Sequence, residues 1–191
     1  MERVVSVEPG DDGVAAVFIR EGGKAFRKDV PFKPFMLLAN PALLNGLGGK
    51  FDVRRLEGPH HYAYLAEFPD VFQHDAALKH LKSATGFNPS SPNAPYKAFS
   101  DMCQQALVSM KARLFRGMSF PELRRLQLDI ETLVSPGYEF PNAKREGDQI
   151  ILISLCDSTG WERSLSAEGR TERELLEEFV AVVRERDPDV I

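Results

Sequence analysis

Asp129 and Glu131 are the residues in this chain best placed to do chemistry. They lie two apart in Leu126-Gln127-Leu128-Asp129-Ile130-Glu131-Thr132, an otherwise largely apolar run that reads as a strand. Strand side chains alternate, so both carboxylates project from one face at about 6–7 Å of backbone separation. Leu128 and Ile130 are then expected to point the other way, into a core. Burying two unpaired acids is costly. A divalent cation between them removes the repulsion, and hard carboxylate oxygens suit Mg²⁺ or Mn²⁺. A pair of such ions can activate a water and stabilise the leaving oxygen of a phosphodiester. The competing reading is an edge strand with one solvated polar face, because Asp-x-Glu is short and common.

The elements that must hold this pair follow from pattern. Gln149–Cys156, rich in isoleucine and leucine, reads as a buried second strand, and Trp161–Leu165 as a third, more polar one. Thr171 opens a helix as N-cap, with Glu174 three residues on completing a capping box. Leu175, Leu176, Phe179, Val182 and Val183 form its expected buried stripe, and Pro188 ends it. Val190-Ile191 begins a further strand. A helix between two strands precludes a tight hairpin, so at least one parallel pairing is predicted, within a mixed sheet.

The preceding residues read as a small α+β sandwich, with helices on one face of an antiparallel sheet. Strands are predicted at 14–20, 25–30, 35–39, 51–56 and 62–67, with a turn at Glu21-Gly22-Gly23-Lys24. Asn40 is placed to cap a short helix that starts at Pro41. A helix is predicted over 75–84, with Gly86 just past its end. Residues 86–95 are a loop by composition. Tyr96, Phe99, Cys103, Ala106, Leu107 and Met110 then recur at helical spacing, with Cys103 expected to be a buried small hydrophobe. Gly117, Ser119 and Pro121 mark a linker.

At 191 residues, with 43% hydrophobic and 27% charged side chains, the composition excludes disordered and fibrous classes. No apolar run reaches the ~18–20 residues of a membrane span, and no signal-peptide core begins the sequence. A soluble, cytoplasmic protein is expected. Two cysteines make neither a disulfide framework nor a zinc cluster. Charge divides unevenly: residues 1–120 hold 15 Lys/Arg against 12 Asp/Glu, and residues 121–191 hold 9 against 16. The small basic excess is too weak to argue for nucleic acid; the acidic segment is where a cation would be needed.

Other constellations carry less. His60 and His61 are neighbours, so on a strand they would face opposite ways, and a loop placement is expected. His74, four residues after Asp70, and the isolated His80 read as surface residues. Gly46, Gly48 and Gly49 before Lys50 fail the phosphate-loop pattern, because Leu44 stands at its first glycine and Phe51 at its Ser/Thr. Ser135 and Ser158 have no histidine in their own region to activate them. Lys111, Arg113, Arg116, Arg124 and Arg125 could meet DNA phosphates, although a solvated linker is the favoured reading.

Asp129-Ile130-Glu131-Thr132 resembles the first exonuclease motif of family B DNA polymerases, the proofreading 3′→5′ exonuclease of ribonuclease-H-like fold. Gly137, Phe140-Pro141, Asp148 and Ile150–Ser154 follow in that family's order, as do Glu174-Leu175-Leu176, Phe179 and Asp187-Pro188-Asp189-Val190-Ile191. Upstream, Asp29–Phe35 and Tyr62–Leu65 look like strands of the polymerases' N-terminal domain, more weakly matched. The segment from Pro95-Tyr96 to Leu107 looks like the family's run into its exonuclease. The resemblance implies an N-terminal domain over 1–120 and the first part of an exonuclease domain over 121–191. It implies that Asp129 bridges two ions, Mg²⁺ or Mn²⁺, and that Glu131 ligates the one holding the attacking water. It sets Thr132 beside the 3′-terminal nucleotide, and makes DNA, as a single-stranded 3′ end, the partner. The family's second and third exonuclease motifs and its polymerase palm have no counterpart here. The chain is therefore expected to be a fragment of a replication or repair enzyme that is inactive alone. The alternatives are a non-catalytic nucleic-acid-binding module, in which residues 1–120 grip template, and a degenerate scaffold that docks a partner.

Overall fold

Val14–Glu21 is rich in valine, isoleucine and phenylalanine, which favour a strand, and two glycines follow it with φ of 55° and 80° at Gly22 and Gly23, a conformation the tight turn requires. In the computed structural model, which describes residues 1–191, this segment (β2) pairs antiparallel with β3, Lys24–Pro31. On its other side it pairs with β1, Val4–Pro9, a strand the sequence did not announce. Val4, Val7, Ala15, Val17 and Phe32 bury one face of this sheet.

A second sheet, rather than the single one expected, holds β4 (Phe35–Leu38), β5 (Asp52–Arg55), β6 (Tyr64–Glu67) and β7 (Tyr96–Ala98) in the order β5-β6-β4-β7, all antiparallel. Helix α1, Val71–Thr85, belongs to its core: Ala77 and Leu81 are buried with Met36, Leu38, Ala66, Phe68 and Tyr96. The helix starts earlier than predicted because Asp70 caps it, accepting from the Gln73 amide at 2.7 Å. Gly86, at φ 71°, ends it. Asn40 caps a 3₁₀ turn over Pro41–Leu44, as its sequence position predicts. His74, expected at the surface, is 1% exposed and packs edge-on to Phe68.

The helix predicted from Tyr96 begins only at Met102. Tyr96 and Ala98 pair instead with Leu38 and Met36, and Asp101 caps α2, Met102–Ser109, through the Gln104 amide. Gln105 and Ala106 turn inward on α2, which leaves Cys103 exposed rather than buried. These elements make one compact unit, Met1–Gly117.

The second unit, Met118–Ile191, is a three-stranded antiparallel sheet of order β10-β9-β8. Its strands are β8 (Leu126–Thr132), β9 (Ile150–Asp157) and β10 (Glu162–Ser166). The helix α3, Glu172–Arg186, opens with the predicted Thr171/Glu174 capping box. Leu175 and Val182 bury against Leu126, Ile153, Leu155 and Leu165, whereas Leu176 is 37% exposed, because one residue turns a helix by 100°. Arg186 ion-pairs with Asp157 and lies 4.6 Å over the Trp161 ring, tying the last turn of α3 to the β9–β10 turn. Val190 makes an isolated parallel bridge to Arg125, its carbonyl accepting from the Leu126 amide at 2.9 Å, but it adds no strand, so the sheet is wholly antiparallel rather than the mixed one predicted. Leu128 and Ile130 are not core residues: they are 41% and 44% exposed, because α3 packs against β9 and β10 and reaches only the Leu126 end of β8. No helix is long and apolar enough to cross a membrane.

Candidate metal centre

Strand alternation fixes which groups share a face with the two acids. The register sets Asp129 opposite Ser154, Glu131 opposite Leu152 and Gln127 opposite Cys156, and Ser164 lies beyond Ser154 on β10. Leu126, Ile153, Leu155 and Leu165 occupy the other face, the one α3 covers. The face bearing Gln127, Asp129 and Glu131 is therefore polar and faces away from α3. A groove of about 510 Å³ runs along part of it, lined by Gln127, Asp129, Ser154, Cys156, Glu162 and Ser164 among others, while Glu131 lies outside its lining. The Cys156 thiol donates to Gln127 Oε1 at 3.1 Å, which fixes the amide beside the acids. Asp129 Oδ1 accepts from the Ile130 amide at 3.0 Å, and its second oxygen is left toward solvent.

The sheet is irregular where the acids end. Glu131 pairs with Leu152 but Thr132 pairs with Ile150, so β9 carries one extra residue, Ile151, at that point. Such a bulge re-aims the neighbouring side chains and bends the strand. The freed groups are satisfied elsewhere: the Ile151 carbonyl accepts from the Ala167 amide at 2.9 Å, and the Ile150 amide donates to Glu172 Oε1 at 2.8 Å. Thr132 sits at the bulge, half-buried.

The long connection between β8 and β9 is organised by Asp148, a residue that composition alone does not mark. Its buried carboxylate accepts from the Ser135 hydroxyl and amide, from the Asn142 amide at 2.8 Å and from Arg145 Nη1 at 2.9 Å. The Ser135 hydroxyl foremost, then these amides and the guanidinium, hold the carboxyl below the usual carboxylate range, against the opposing effect of burial. Arg145 also stacks 3.3 Å over the Tyr138 ring. The loop that leaves the acids is thus pinned rather than loose.

Asp129 and Glu131 both sit exposed on one face and offer hard oxygens to a divalent ion. No group of three or more His, Cys, Asp or Glu side chains meets in an arrangement that could hold a metal. An octahedral ion gripped here would take two protein ligands and fill its other positions with water or phosphate oxygens.

Comparison with known proteins follows the same lines. No family model matches the chain. Its sequence is similar to a DNA polymerase of Pyrococcus glycovorans, 38% identical over 78 residues, covering 37% of this chain and 9% of that protein. A DNA polymerase of Archaeoglobus fulgidus is 38% identical over 74 residues, covering 39% of this chain and 9% of that protein. One from Thermococcus kodakarensis is 39% identical over 79 residues, covering 37% of this chain and 4% of that protein. The chain therefore matches less than a tenth of the length of these relatives. The solved structure of the family B DNA polymerase from the archaeon Pyrobaculum calidifontis superposes with a TM-score of 0.54 over 97% of this chain and 30% of that one, at 17% identity, which shows the shared fold. Both comparisons bear out the resemblance to family B DNA polymerases.

Proposed function

From the premise that the chain resembles archaeal DNA polymerases in sequence and a family B DNA polymerase in fold, we propose that it contributes to a 3′→5′ exonuclease acting on DNA. Residues 1–120 serve as the N-terminal domain and 121–191 as the first part of a ribonuclease-H-like exonuclease domain, working in the cytoplasm on a single-stranded 3′ end. The observation that carries this reading is the exposed Asp129/Glu131 pair, which shares one polar face of β8 and ends at a bulge.

Asp129 and Glu131 would each offer carboxylate oxygens to Mg²⁺ or Mn²⁺, Glu131 on the side of the attacking water. The ions, when bound, lower the pKa of that water and neutralise charge on the phosphodiester. The protein's own groups do the positioning. The polar face would admit a phosphate, the pairing register shifts between Glu131 and Thr132, and Thr132 would sit beside the 3′-terminal nucleotide through its backbone. The Asp148-centred hydrogen bonds keep the following loop from collapsing over the acids. Two acids are fewer than a two-ion mechanism needs, so this chain alone is expected to hydrolyse DNA poorly or not at all.

The test is removal of 3′ nucleotides from 5′-labelled single-stranded DNA by full-length protein containing these residues. Asp129→Ala combined with Glu131→Ala should lower the Mg²⁺- or Mn²⁺-dependent rate on the order of 10³-fold, several kcal/mol of transition-state stabilisation. Undiminished hydrolysis by the double variant would sink the assignment.

A further inference from the structure

The geometry points to a second nucleic-acid contact that the two carboxylates do not form: a groove at the C-terminal end of α2 that holds the phosphodiester backbone of a single DNA strand. It rests on nucleic acid being the partner under the reading above, and on neither Asp129 nor Glu131.

The groove measures about 880 Å³ and its walls are built from the end of α2 and the segment that follows, 107–116. Three of its lining residues, Lys111, Arg113 and Arg116, are cations, and the stretch from Leu107 to Gly117 contains no acid. Lys111 and Arg113 are exposed and pair with no carboxylate. Arg116 meets only the exposed Glu2, at 3.7 Å. Val108 and Leu114 stand among these charges at 58% and 41% exposure. Cations beside exposed apolar groups match a strand that offers phosphates on one side and sugars and bases on the other. A polyglutamate-like acidic peptide supplies the charge without sugars or bases to cover Val108 and Leu114.

The shape is built in rather than incidental. Lys111 and Phe115 adopt φ of 51° and 61°, a left-handed conformation that side-chain-bearing residues hold only when their surroundings impose it. Lys111 is the left-handed residue that ends α2, its amide donating to the Val108 carbonyl at 3.1 Å and the Ala112 amide to the Leu107 carbonyl at 2.9 Å, and the first residues of the chain impose the conformation at Phe115. The Phe115 amide donates to the Val4 carbonyl at 2.7 Å, and the Arg3 amide to the Arg116 carbonyl at 2.6 Å. Val4 bridges Leu114 in parallel, and Arg3 Nη1 reaches the Gly117 carbonyl at 3.0 Å. Ala112 is buried beneath the turn in the core of the first sheet, which forces its neighbours Lys111 and Arg113 outward.

The experiment is fluorescence anisotropy of a 5′-labelled oligothymidylate with the whole chain, in EDTA, at NaCl between about 50 and 200 mM, where salt sensitivity counts phosphate contacts. Wild-type protein should bind. K111E/R113E should lose at least about tenfold in affinity and flatten the log–log salt slope by about 1.4, at ~0.7 for each lost single-strand phosphate contact. K111Q/R113Q should move both readings in the same direction, which separates lost cations from added repulsion, and circular dichroism checks that each variant folds. K79Q/K82Q, which removes two exposed cations of α1 outside the groove, should bind as wild type does. Absence of wild-type binding, or charge variants that keep wild-type affinity and slope, overturns the proposal. Loss of binding in K79Q/K82Q as large as that in K111Q/R113Q would also overturn it while leaving the exonuclease reading standing. Competition by polyglutamate or by duplex as effective as that by the oligothymidylate would overturn the single-strand assignment.

Discussion

Asp148 and Asp129 belong to one strand–loop–strand segment, yet their surroundings differ in kind. Asp148 is buried and surrounded by donors, so its charged form is favoured; Asp129 is exposed, with a single neighbouring amide on one oxygen. The stability that Asp148 contributes is present above the unfolded carboxylate pKa, about 3.9, and is lost as pH falls through the lowered folded value. Asp148→Asn should therefore lower the urea midpoint at neutral pH and shrink the stability lost on acidification, both read by urea titrations in the acid range. An unchanged acid limb would show that the loop's hydrogen bonds are not what acid breaks. His74 acts on a different limb. Burial holds its imidazole below the ordinary histidine pKa, and the Asp75 side chain at 3.3 Å from Nδ1 only partly opposes this. Its Nε2 has no hydrogen-bond partner, so the folded state keeps the neutral form. Stability is thus present above the unfolded value, about 6.5, and is lost as pH falls below it and the unfolded chain takes up a proton. His74→Leu should flatten the dependence of the urea midpoint between about pH 7 and 5. A wild-type midpoint already flat over that range would refute the coupling.

Between elements, a few polar side chains fasten what local pattern cannot. Gln105, 1% exposed on α2, accepts from the Phe35 amide of β4 at 2.7 Å and donates to the Phe99 carbonyl at 2.9 Å. Gln105→Leu leaves both backbone groups buried without partners and should cost about 1–3 kcal/mol for each group left unsatisfied, measured by equilibrium unfolding. A change well under 1 kcal/mol would mean water reaches them. Signals complete within a few residues were legible in the sequence: the Gly22-Gly23 turn, Asn40 before Pro41, Thr171 with Glu174, and the alternation that puts Asp129 and Glu131 on one face. Features that depend on a distant partner were not. Tyr96, Phe99 and Cys103 fit a helix by spacing, but the open edge of β4 takes Tyr96 and Ala98 into a strand. Leu128 and Ile130 alternate as core residues should, yet burial requires an element above them, and α3 covers β9 and β10 instead. The 111–116 segment was legible as basic but not as concave, because its curvature depends on hydrogen bonds to residues more than a hundred positions earlier.

Across the whole molecule, charge and shape divide along the chain. Residues 1–120 carry the basic excess and the groove at 111–116; residues 121–191 carry 16 acids against 9 bases and the polar face with Asp129 and Glu131. A polyanion should therefore contact the two segments under different conditions. Phosphates meet cations at Lys111 and Arg113 without help, but near Asp129 and Glu131 they meet like charge, and a divalent ion is needed to reverse the sign. Hydrogen exchange read by mass spectrometry can separate the two. Adding single-stranded DNA in EDTA should slow exchange at amides within 107–116 and leave 127–132 unchanged. Replacing EDTA with Mn²⁺ should then add protection around 127–132, and Asp129→Ala with Glu131→Ala should abolish that second response while preserving the first. Protection at 127–132 in EDTA would contradict this division, since it would require DNA to approach two carboxylates without a cation to offset them.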